Sequence, residues 1–164
     1  MNDTILKIYS NGEINYKLKN VHAKVSVIWN YKAPEGAGDT HYSIMRGTKA
    51  NLIIKQGAEQ QYKPMLYIEP LSNDAQFETA LMEKLKTLQT KYSGVELKKL
   101  ETGWEVIVPN SYKEGHEAHF GRVMEKFLEY LNNHNIPDWE VPNTIAKYYT
   151  TTKALDMALK TGKM

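Results

Sequence analysis

The segment Asp39-Thr40-His41 carries residue types that proton-transfer chemistry uses. Residues two apart on a β-strand project from the same face, so a strand here would place Asp39 and His41 side by side. A carboxylate beside an imidazole orients the ring, as a general acid or base requires. A second interpretation stays open, in which Asp39 caps the preceding Gly-rich loop and His41 is a half-buried residue of the sheet.

Arg46 lies at the end of the same strand-like run. Its position predicts a side chain on the opposite face or in the following turn, where a guanidinium would meet a carboxylate. The stretch from Trp29 to Gly57 joins two strand-like runs through a Gly-rich loop. It is predicted to bring Asp39, His41 and Arg46 close together. We take these three as candidate substrate-side residues, and we assign no catalytic residue.

Dinucleotide binding requires glycines at a strand-to-helix turn, and the G-x-G sequence of this chain does not meet that requirement. Gly36 and Gly38 lie in a loop that leads into a strand, and His41 occupies the position of a third glycine. No G-x-x-x-x-G-K-[ST] phosphate loop occurs in the sequence. We therefore expect the chain to bind no dinucleotide cofactor by itself.

The sequence His116-Glu117-Ala118-His119 is one residue shorter than the H-E-x-x-H zinc motif. Histidines three apart on a helix can share a face, which leaves a metal site open. The simpler interpretation, which we favour, is that these residues begin a surface helix whose N-terminal dipole stabilises Glu117. We accordingly assign no metal ligand.

Alternating apolar residues and turn residues predict several β-strands. Asn11-Gly12, between the runs Ile5–Ser10 and Glu13–Leu18, is a strong hairpin signal because both turn positions tolerate positive φ. Further strands are predicted at 21–31, 40–46, 50–56, 62–69, 95–100 and 104–108. Trp29, on the apolar side of one of these strands, is expected to lie in a core between sheet and helices.

Apolar residues at helical spacing predict three helices. The first follows Asp74, a candidate N-cap, and carries an apolar stripe from Phe77 to Leu88. Two more close the chain, one around Phe120–Leu131 and one that starts near Pro142. Together these elements predict an α+β fold, with a mainly antiparallel open sheet of about six to eight strands and helices packed on one face.

Length and composition bound the function. At 164 residues, 41% hydrophobic and 24% charged, the chain is predicted to form one domain, residues 1–164, with no Rossmann domain. Its net charge of +2 is small, so we expect neither nucleic acid nor a membrane as partner.

The absence of cysteine excludes disulfides and cysteine nucleophiles. No signal pattern or apolar run of about 20 residues occurs, which predicts a cytoplasmic protein if the chain is complete.

Two stretches of the sequence are similar to a known family. The first stretch reads LKIYSNGEINYKLKNVHAKVSVIWNYKAPEGAG followed by GDTHYSIMRGTKANLIIKQG. It resembles the C-terminal domain of oxidoreductases in the Gfo/Idh/MocA family. That family is named for glucose–fructose oxidoreductase and inositol dehydrogenase. The second resembles the family's two closing helices and reads GHEAHFGRVMEKFLEYLNN followed by IPDWEVPNTIAKYYTTTKALDMALKTGK. The resemblance covers nearly the whole chain and is most specific in the GDTHYSIMRGT segment.

Members of that family join an N-terminal Rossmann domain, which binds NAD or NADP, to a C-terminal domain whose open sheet shapes the substrate pocket and mediates oligomerisation. The resemblance implies that NAD or NADP belongs to the full-length enzyme and not to this chain. It implies two partners, a Rossmann domain of the same protein and further copies bound through the sheet. The implied substrate is a small sugar, polyol or related hydroxy compound, with Asp39, His41 and Arg46 on the substrate side.

The sequence also departs from the family pattern. It lacks the Rossmann glycines, the Glu-Lys-Pro segment with the family's catalytic lysine, and the helix that carries a catalytic histidine. His41 is therefore not equated with that histidine, and we expect the isolated domain to be inactive.

Two other functions stay open. One is a stand-alone carbohydrate-binding or assembly module built on the same sheet, which should show a concave pocket with a few convergent polar groups. The other is a cofactor-free acid/base enzyme that uses Asp39 and His41. A domain separated from its oxidoreductase partner should instead expose a large apolar or aromatic surface.

Overall fold

A computed structural model of the chain describes residues 9–29, 34–72 and 74–162. The described residues form seven β-strands and three α-helices. The strands are β1 (Gly12–Leu18), β2 (Val21–Val27), β3 (His41–Arg46), β4 (Ala50–Gln56), β5 (Met65–Pro70), β6 (Glu96–Leu100) and β7 (Gly103–Ile107). The helices are α1 (Ala75–Gln89), α2 (His116–Asn133) and α3 (Glu140–Thr161). Every strand pairing is antiparallel, which confirms the predicted α+β class.

The chain divides into two compact units. The first unit holds β1, β2 and the residues from Phe120 onward. The second unit runs from Ala33 to His119 and contains the larger sheet with α1. The predicted strands are thus shared between two sheets, one in each unit.

The first unit begins with the β1–β2 hairpin. Its turn is Lys19-Asn20, and both residues have positive φ, 47° and 68°, as a two-residue type I′ turn requires. The turn predicted at Asn11-Gly12 is wrong, because Gly12 opens β1 and pairs with Val27. The Asn11 side chain instead accepts a hydrogen bond from the backbone N–H of Trp29. The strand predicted at Ile5–Ser10 falls mostly outside the described residues, as does the end of the strand predicted at 21–31.

The hairpin has one apolar and one polar face, because paired residues share a face and alternate along each strand. The apolar face is formed by Ile14, Tyr16, Leu18, Val21, Ala23, Val25 and Val27, and the polar face by Glu13, Asn15, Lys17, His22, Lys24 and Ser26. Helix α3 contacts β1. Its half-buried residues Thr150, Ala154 and Ala158 recur every four positions, which places three small side chains on one side of the helix.

The second unit is built on a five-stranded sheet in the order β3-β4-β5-β7-β6. β3, β4 and β5 follow one another, and α1 then leads to the β6–β7 hairpin, whose second strand pairs with β5. This order leaves β3 and β6 as the edge strands. The register is continuous: Ile44 lies opposite Ile53, Ile53 opposite Tyr67, and Tyr67 opposite Glu105.

Helix α1 packs on one face of this sheet around Trp104, which is 4% exposed. The Trp104 and Phe77 rings have centroids 5.9 Å apart. Lys99 lies on the same face, with its Nζ 4.1 Å from the Trp104 ring centroid and 2.8 Å from Glu78 Oε2. Asp74 begins the helix as predicted, because its carboxylate accepts a 2.8 Å hydrogen bond from the Gln76 backbone N–H. These contacts fix α1 against β6 and β7.

Gly103 allows β7 to approach β5 closely. Its φ is +150°, and a Cβ at this position would lie 2.1 Å from the carbonyl oxygen of Ile68. Only glycine tolerates both the backbone angle and the distance. The packing of Trp104 therefore depends on the residue that precedes it.

The two closing helices are confirmed, although α3 begins at Glu140, two residues before Pro142. The expectation for Trp29 is wrong: its side chain is 76% exposed, because β2 ends at Val27 and the residue lies beyond the hairpin. No described helix combines the length and the hydropathy that crossing a lipid bilayer would demand.

Candidate functional site

Polar side chains gather where the chain enters β3. His41 is the first residue of β3 and pairs with Gln56, the last residue of β4. The Gln56 side-chain amide donates a 3.0 Å hydrogen bond to the backbone carbonyl of Asp39. This bond ties the segment that precedes β3 to the end of β4, and it sets Asp39 next to the start of the sheet.

Tyr62 closes the same region from the loop between β4 and β5. A Cβ built at Gly38 would lie 3.0 Å from the Tyr62 Cβ, so the tyrosine packs directly on the glycine. Gln61 and Tyr62 both adopt left-handed backbone angles, with φ of 53° and 57°. The Tyr62 N–H donates a 2.8 Å hydrogen bond to the Gly57 carbonyl, which holds this tight loop in place. The half-buried tyrosine is thereby fixed beside the path into β3.

We call Gly38, Asp39, His41, Gln56 and Tyr62 the β3-entry cluster. It offers a carboxylate, an imidazole, an amide and a phenol from three segments of the chain. Asp39 and His41 are exposed, and in the described part of the chain neither side chain has a hydrogen-bond or ion-pair partner. Such groups remain available to donate or accept hydrogen bonds with a polar solute.

Arg46 is not part of this cluster. It ends β3 and pairs with Asn51, whereas His41 begins the strand and pairs with Gln56. At about 3.4 Å per residue the two Cα atoms are roughly 17 Å apart, and their side chains project from opposite faces. The structure therefore brings Asp39 and His41 to one end of β3 and leaves the exposed Arg46 at the other. The predicted proximity of all three is therefore wrong for Arg46, and the pairing of the Asp39 and His41 side chains stays a prediction.

Gln56 and Tyr62 were not identified as site residues from the sequence. Gln56 reads as the polar end of a strand, and its bond to Asp39 spans 17 positions. Only the β3–β4 register brings them together. The contact of Tyr62 with Gly38 likewise joins residues far apart in the sequence.

His116 and Glu117 begin α2, which confirms that this histidine-rich sequence starts a helix. Glu117 lies in the first helical turn, where the helix dipole favours an acidic side chain. Among the residues that the structure describes, no three His, Asp or Glu side chains come together as a metal-binding set.

A groove of about 570 Å³ lies between α2 and the beginning of α3, within the first unit. Its lining is mainly apolar and includes Phe127, Leu131, Trp139, Val141 and Ile145. Lys126 and Glu140 border it with charge. This groove has the dimensions of a ligand pocket, but the polar groups that would orient a small solute are gathered at β3 instead.

Comparison with known proteins adds three findings. No curated protein matches the chain. A solved structure described as a putative oxidoreductase from Parabacteroides merdae ATCC 43184 is 54% identical and superimposes with a TM-score of 0.90. The match covers 98% of this chain and 37% of that protein, so this chain spans a little over a third of its relative. The family model "Putative oxidoreductase C terminal domain" matches residues 1–159, and the chain belongs to that family.

Proposed function

We propose that this chain forms the substrate-side and oligomerisation domain of an NAD(P)-dependent oxidoreductase that acts on a sugar, a polyol or a related hydroxy compound. The observation that carries the proposal is the β3-entry cluster. It presents Asp39, His41 and Gln56 at the exposed end of a sheet in a chain whose family is an oxidoreductase C-terminal domain. A hydroxylated solute suits these groups, because each hydroxyl both donates and accepts hydrogen bonds.

In the part of the chain that the structure describes, the Gly36–Gly38 loop and the N-terminus of α1 do not suit a nicotinamide cofactor. Gly36 and Gly38 precede a strand, so the loop has no helix N-terminus to meet a pyrophosphate. The N-terminus of α1 is occupied by the Asp74 carboxylate and followed by Glu78, and both oppose an anionic ligand. No step of hydride transfer is assigned to this chain. In our proposal a Rossmann domain of the same protein holds NAD or NADP, and this domain positions the substrate against it.

The oligomerisation role is supported by the edge strand β3. An edge strand presents unpaired backbone N–H and C=O groups to a neighbouring strand. Tyr42 and Met45 on β3 are 62% and 70% exposed, which adds apolar surface beside that edge. Pairing between two such edges would extend the sheet across a dimer.

Solute binding tests the proposal directly. Backbone amide NMR spectra of the chain are recorded while a panel of monosaccharides and polyols is added, each to about 50 mM, since an incomplete pocket binds weakly. We expect shifts centred on residues 38–41, 56 and 62. His41→Ala should reduce those shifts by at least about threefold. Arg46→Ala, an exposed residue of the same strand, is the matched control and should leave them unchanged.

NADH titration gives an independent check of the cofactor assignment. We expect no saturable change in NADH fluorescence when the chain is added. Saturation at micromolar concentration would place a cofactor site in this domain and refute the division of roles. Solute-induced shifts confined to the α2–α3 groove would refute the β3-entry cluster as the substrate side.

A further inference from the structure

The backbone that carries Tyr62 is unusual for a residue of its size. Tyr62 has a φ of 57°, and the preceding Gln61 has a φ of 53°. Bulky side chains rarely adopt such left-handed angles, and two in succession are rarer still. At Lys19-Asn20 a two-residue turn requires such a pair. The connection between β4 and β5 spans residues 57–64, so no tight turn imposes these angles there.

Backbone hydrogen bonds hold this loop in its strained conformation. The Gln61 N–H donates to the Ala58 carbonyl at 2.9 Å, beside the bond from the Tyr62 N–H to the Gly57 carbonyl. Strained backbone angles persist where the surrounding structure enforces them, and they are frequent at ligand-binding sites. The loop thereby fixes the direction in which the Tyr62 side chain leaves the backbone.

The Tyr62 ring lies against Gly38, at the edge of the β3-entry cluster. A Cβ built on Gly38 would lie 3.2 Å from Tyr62 Cγ and 3.6 Å from Tyr62 Cδ1, so the ring and the glycine are in direct contact. The next residue, Asp39, accepts the Gln56 hydrogen bond through its carbonyl. The ring is therefore held beside the polar segment that enters β3.

The Tyr62 ring has no cation or second ring stacked on it, unlike several other aromatic rings of the chain. A lysine Nζ lies within 5.3 Å of the ring centroids of Tyr67, Tyr92, Trp104, Tyr130 and Tyr148. Among the described residues, neither a lysine nor an aromatic ring stacks on Tyr62, and its hydroxyl has no hydrogen-bond partner. Since the side chain is only half-buried, part of it remains open to a solute.

An aromatic ring beside hydrogen-bonding groups matches the two kinds of surface on a cyclic sugar. A sugar ring with equatorial hydroxyls presents C–H groups on its faces, and its hydroxyls project around the rim. The C–H face packs on an aromatic ring, while the rim hydroxyls exchange hydrogen bonds with carboxylate, imidazole and amide groups. An open-chain polyol has similar hydroxyls but no rigid face, and it loses more conformational freedom on binding.

We propose that Tyr62 is a specificity-determining residue of the β3-entry cluster. Its ring packs on the C–H face of a cyclic sugar, so the cluster binds that ring in preference to an open-chain polyol. This role rests on the proposed function for the site itself, and it narrows the class of hydroxy compound that the site binds. The polar groups of Asp39, His41 and Gln56 bind hydroxyls of either solute, whereas the preference for a ring depends on Tyr62.

Paired NMR titrations with methyl β-glucopyranoside and sorbitol test this role, since the first solute is a ring and the second is an open chain. We expect the amide shifts at residues 38–41, 56 and 62 to give at least about fivefold higher affinity for the glucoside. Tyr62→Phe keeps the ring and should keep the preference. Tyr62→Leu should lower glucoside affinity to about that of sorbitol and leave sorbitol binding unchanged.

Tyr112→Leu is the matched control. Tyr112 is an exposed tyrosine of the same unit, and its ring already contacts the Tyr92 ring with centroids 6.0 Å apart. This variant should keep the wild-type preference. Tyr62→Gly suits the left-handed backbone angle and supplies the ring deletion if the leucine variant does not fold.

Three results would overturn the role of Tyr62: equal wild-type affinities for the two solutes, a preference that survives both Tyr62→Leu and Tyr62→Gly, or an equal loss of preference in Tyr112→Leu. In each of these cases the solutes still bind at residues 38–41, and the proposed function stands. Absence of binding by both solutes at those residues would instead refute the proposed function, and the role of Tyr62 with it.

Discussion

The side-chain amide of Gln56 donates a 3.0 Å hydrogen bond to the backbone carbonyl of Asp39. The acceptor belongs to the segment before β3 and the donor is the last residue of β4, so the bond lengthens the β3–β4 ladder beyond its final pair. The Gln56 side chain therefore joins the two segments by a hydrogen bond, as backbone N–H groups do elsewhere in the sheet. This bond holds the backbone of Asp39 beside the end of β4.

Replacing that donor should loosen the entry to β3. Gln56→Glu keeps the shape of the side chain but removes the N–H groups, so the Asp39 carbonyl loses its partner. We expect amide hydrogen exchange at residues 38–41 to accelerate by about fivefold, which corresponds to a lost bond of about 1 kcal/mol. Asn51→Asp makes the same amide-to-acid change at the other end of β4 and serves as the control. Equal acceleration in both variants would show that added charge, and not the lost bond, is responsible.

Gly103 should be among the least replaceable residues of the second unit. In Gly103→Ala the new methyl group meets the Ile68 carbonyl at 2.1 Å and the φ of +150° becomes strained. We expect the free energy of unfolding to fall by about 3 kcal/mol or more, as measured by urea denaturation.

Gly121→Ala provides the contrast to that variant. Gly121 lies inside α2 with no atom within 4 Å of an added Cβ. Alanine there should stabilise the helix by about 0.5–1 kcal/mol, because glycine loses more backbone entropy. A loss of stability in both variants would mean that steric contact does not explain the requirement at Gly103.

The cap of α1 should contribute a measurable share of stability. Asp74→Ala removes the acceptor of the 2.8 Å bond from the Gln76 N–H and should lower the free energy of unfolding by about 1 kcal/mol. Asp74→Ser keeps an acceptor oxygen at the same position and should recover most of that loss. Comparable urea midpoints for the Ala variant and the wild type would contradict the capping role.

The pKa of the Glu13 carboxyl should lie below its ordinary value. A hydrogen bond from Lys24, 2.6 Å away, lowers the pKa of Glu13, and a second bond from Asn15 acts in the same direction. Because the folded pKa lies below the unfolded value, the pair stabilises the hairpin above the unfolded pKa. That contribution is lost as the pH falls through the folded pKa.

Carbon-detected NMR of the Glu13 carboxyl measures this pKa. We expect Lys24→Gln to raise it towards the ordinary range, and Asn15→Ala to raise it by a smaller amount. High salt should have a similar effect on the exposed pair. A midpoint unchanged by Lys24→Gln would exclude the ion pair as the cause.

Most of the fold follows from periodicity. Strand runs bounded by glycine and proline located β3, β4, β5, β6 and β7, and the apolar stripes located all three helices. Periodicity and composition did not predict the turn at Lys19-Asn20. Asn11-Gly12 has the better turn composition, and Lys19 is an unusual residue for positive φ. The apolar faces of β1 and β2 selected the turn that pairs them, which overrides local preference.

The candidate site could be predicted from the sequence less completely than the fold. Asp39 and His41 are two positions apart in the sequence, so both lie near the start of β3, although Asp39 precedes the strand. Gln56 reaches Asp39 through strand register, and Tyr62 reaches Gly38 through two consecutive left-handed residues. Neither relationship has a periodic signature in the sequence. The two contacts could not be predicted, because strand register and left-handed backbone angles have no local signal in the sequence.

The two-residue turn at Lys19-Asn20 has a consequence for how this region can evolve. A hairpin closed by two residues admits one register, and a single inserted or deleted residue moves every side chain of one strand to the opposite face. Such a change would turn Ala23 and Val25 away from Ile14 and Tyr16, and bring His22 and Lys24 onto the apolar face in their place. We expect natural variation here to proceed by substitution, with the length of the turn held constant.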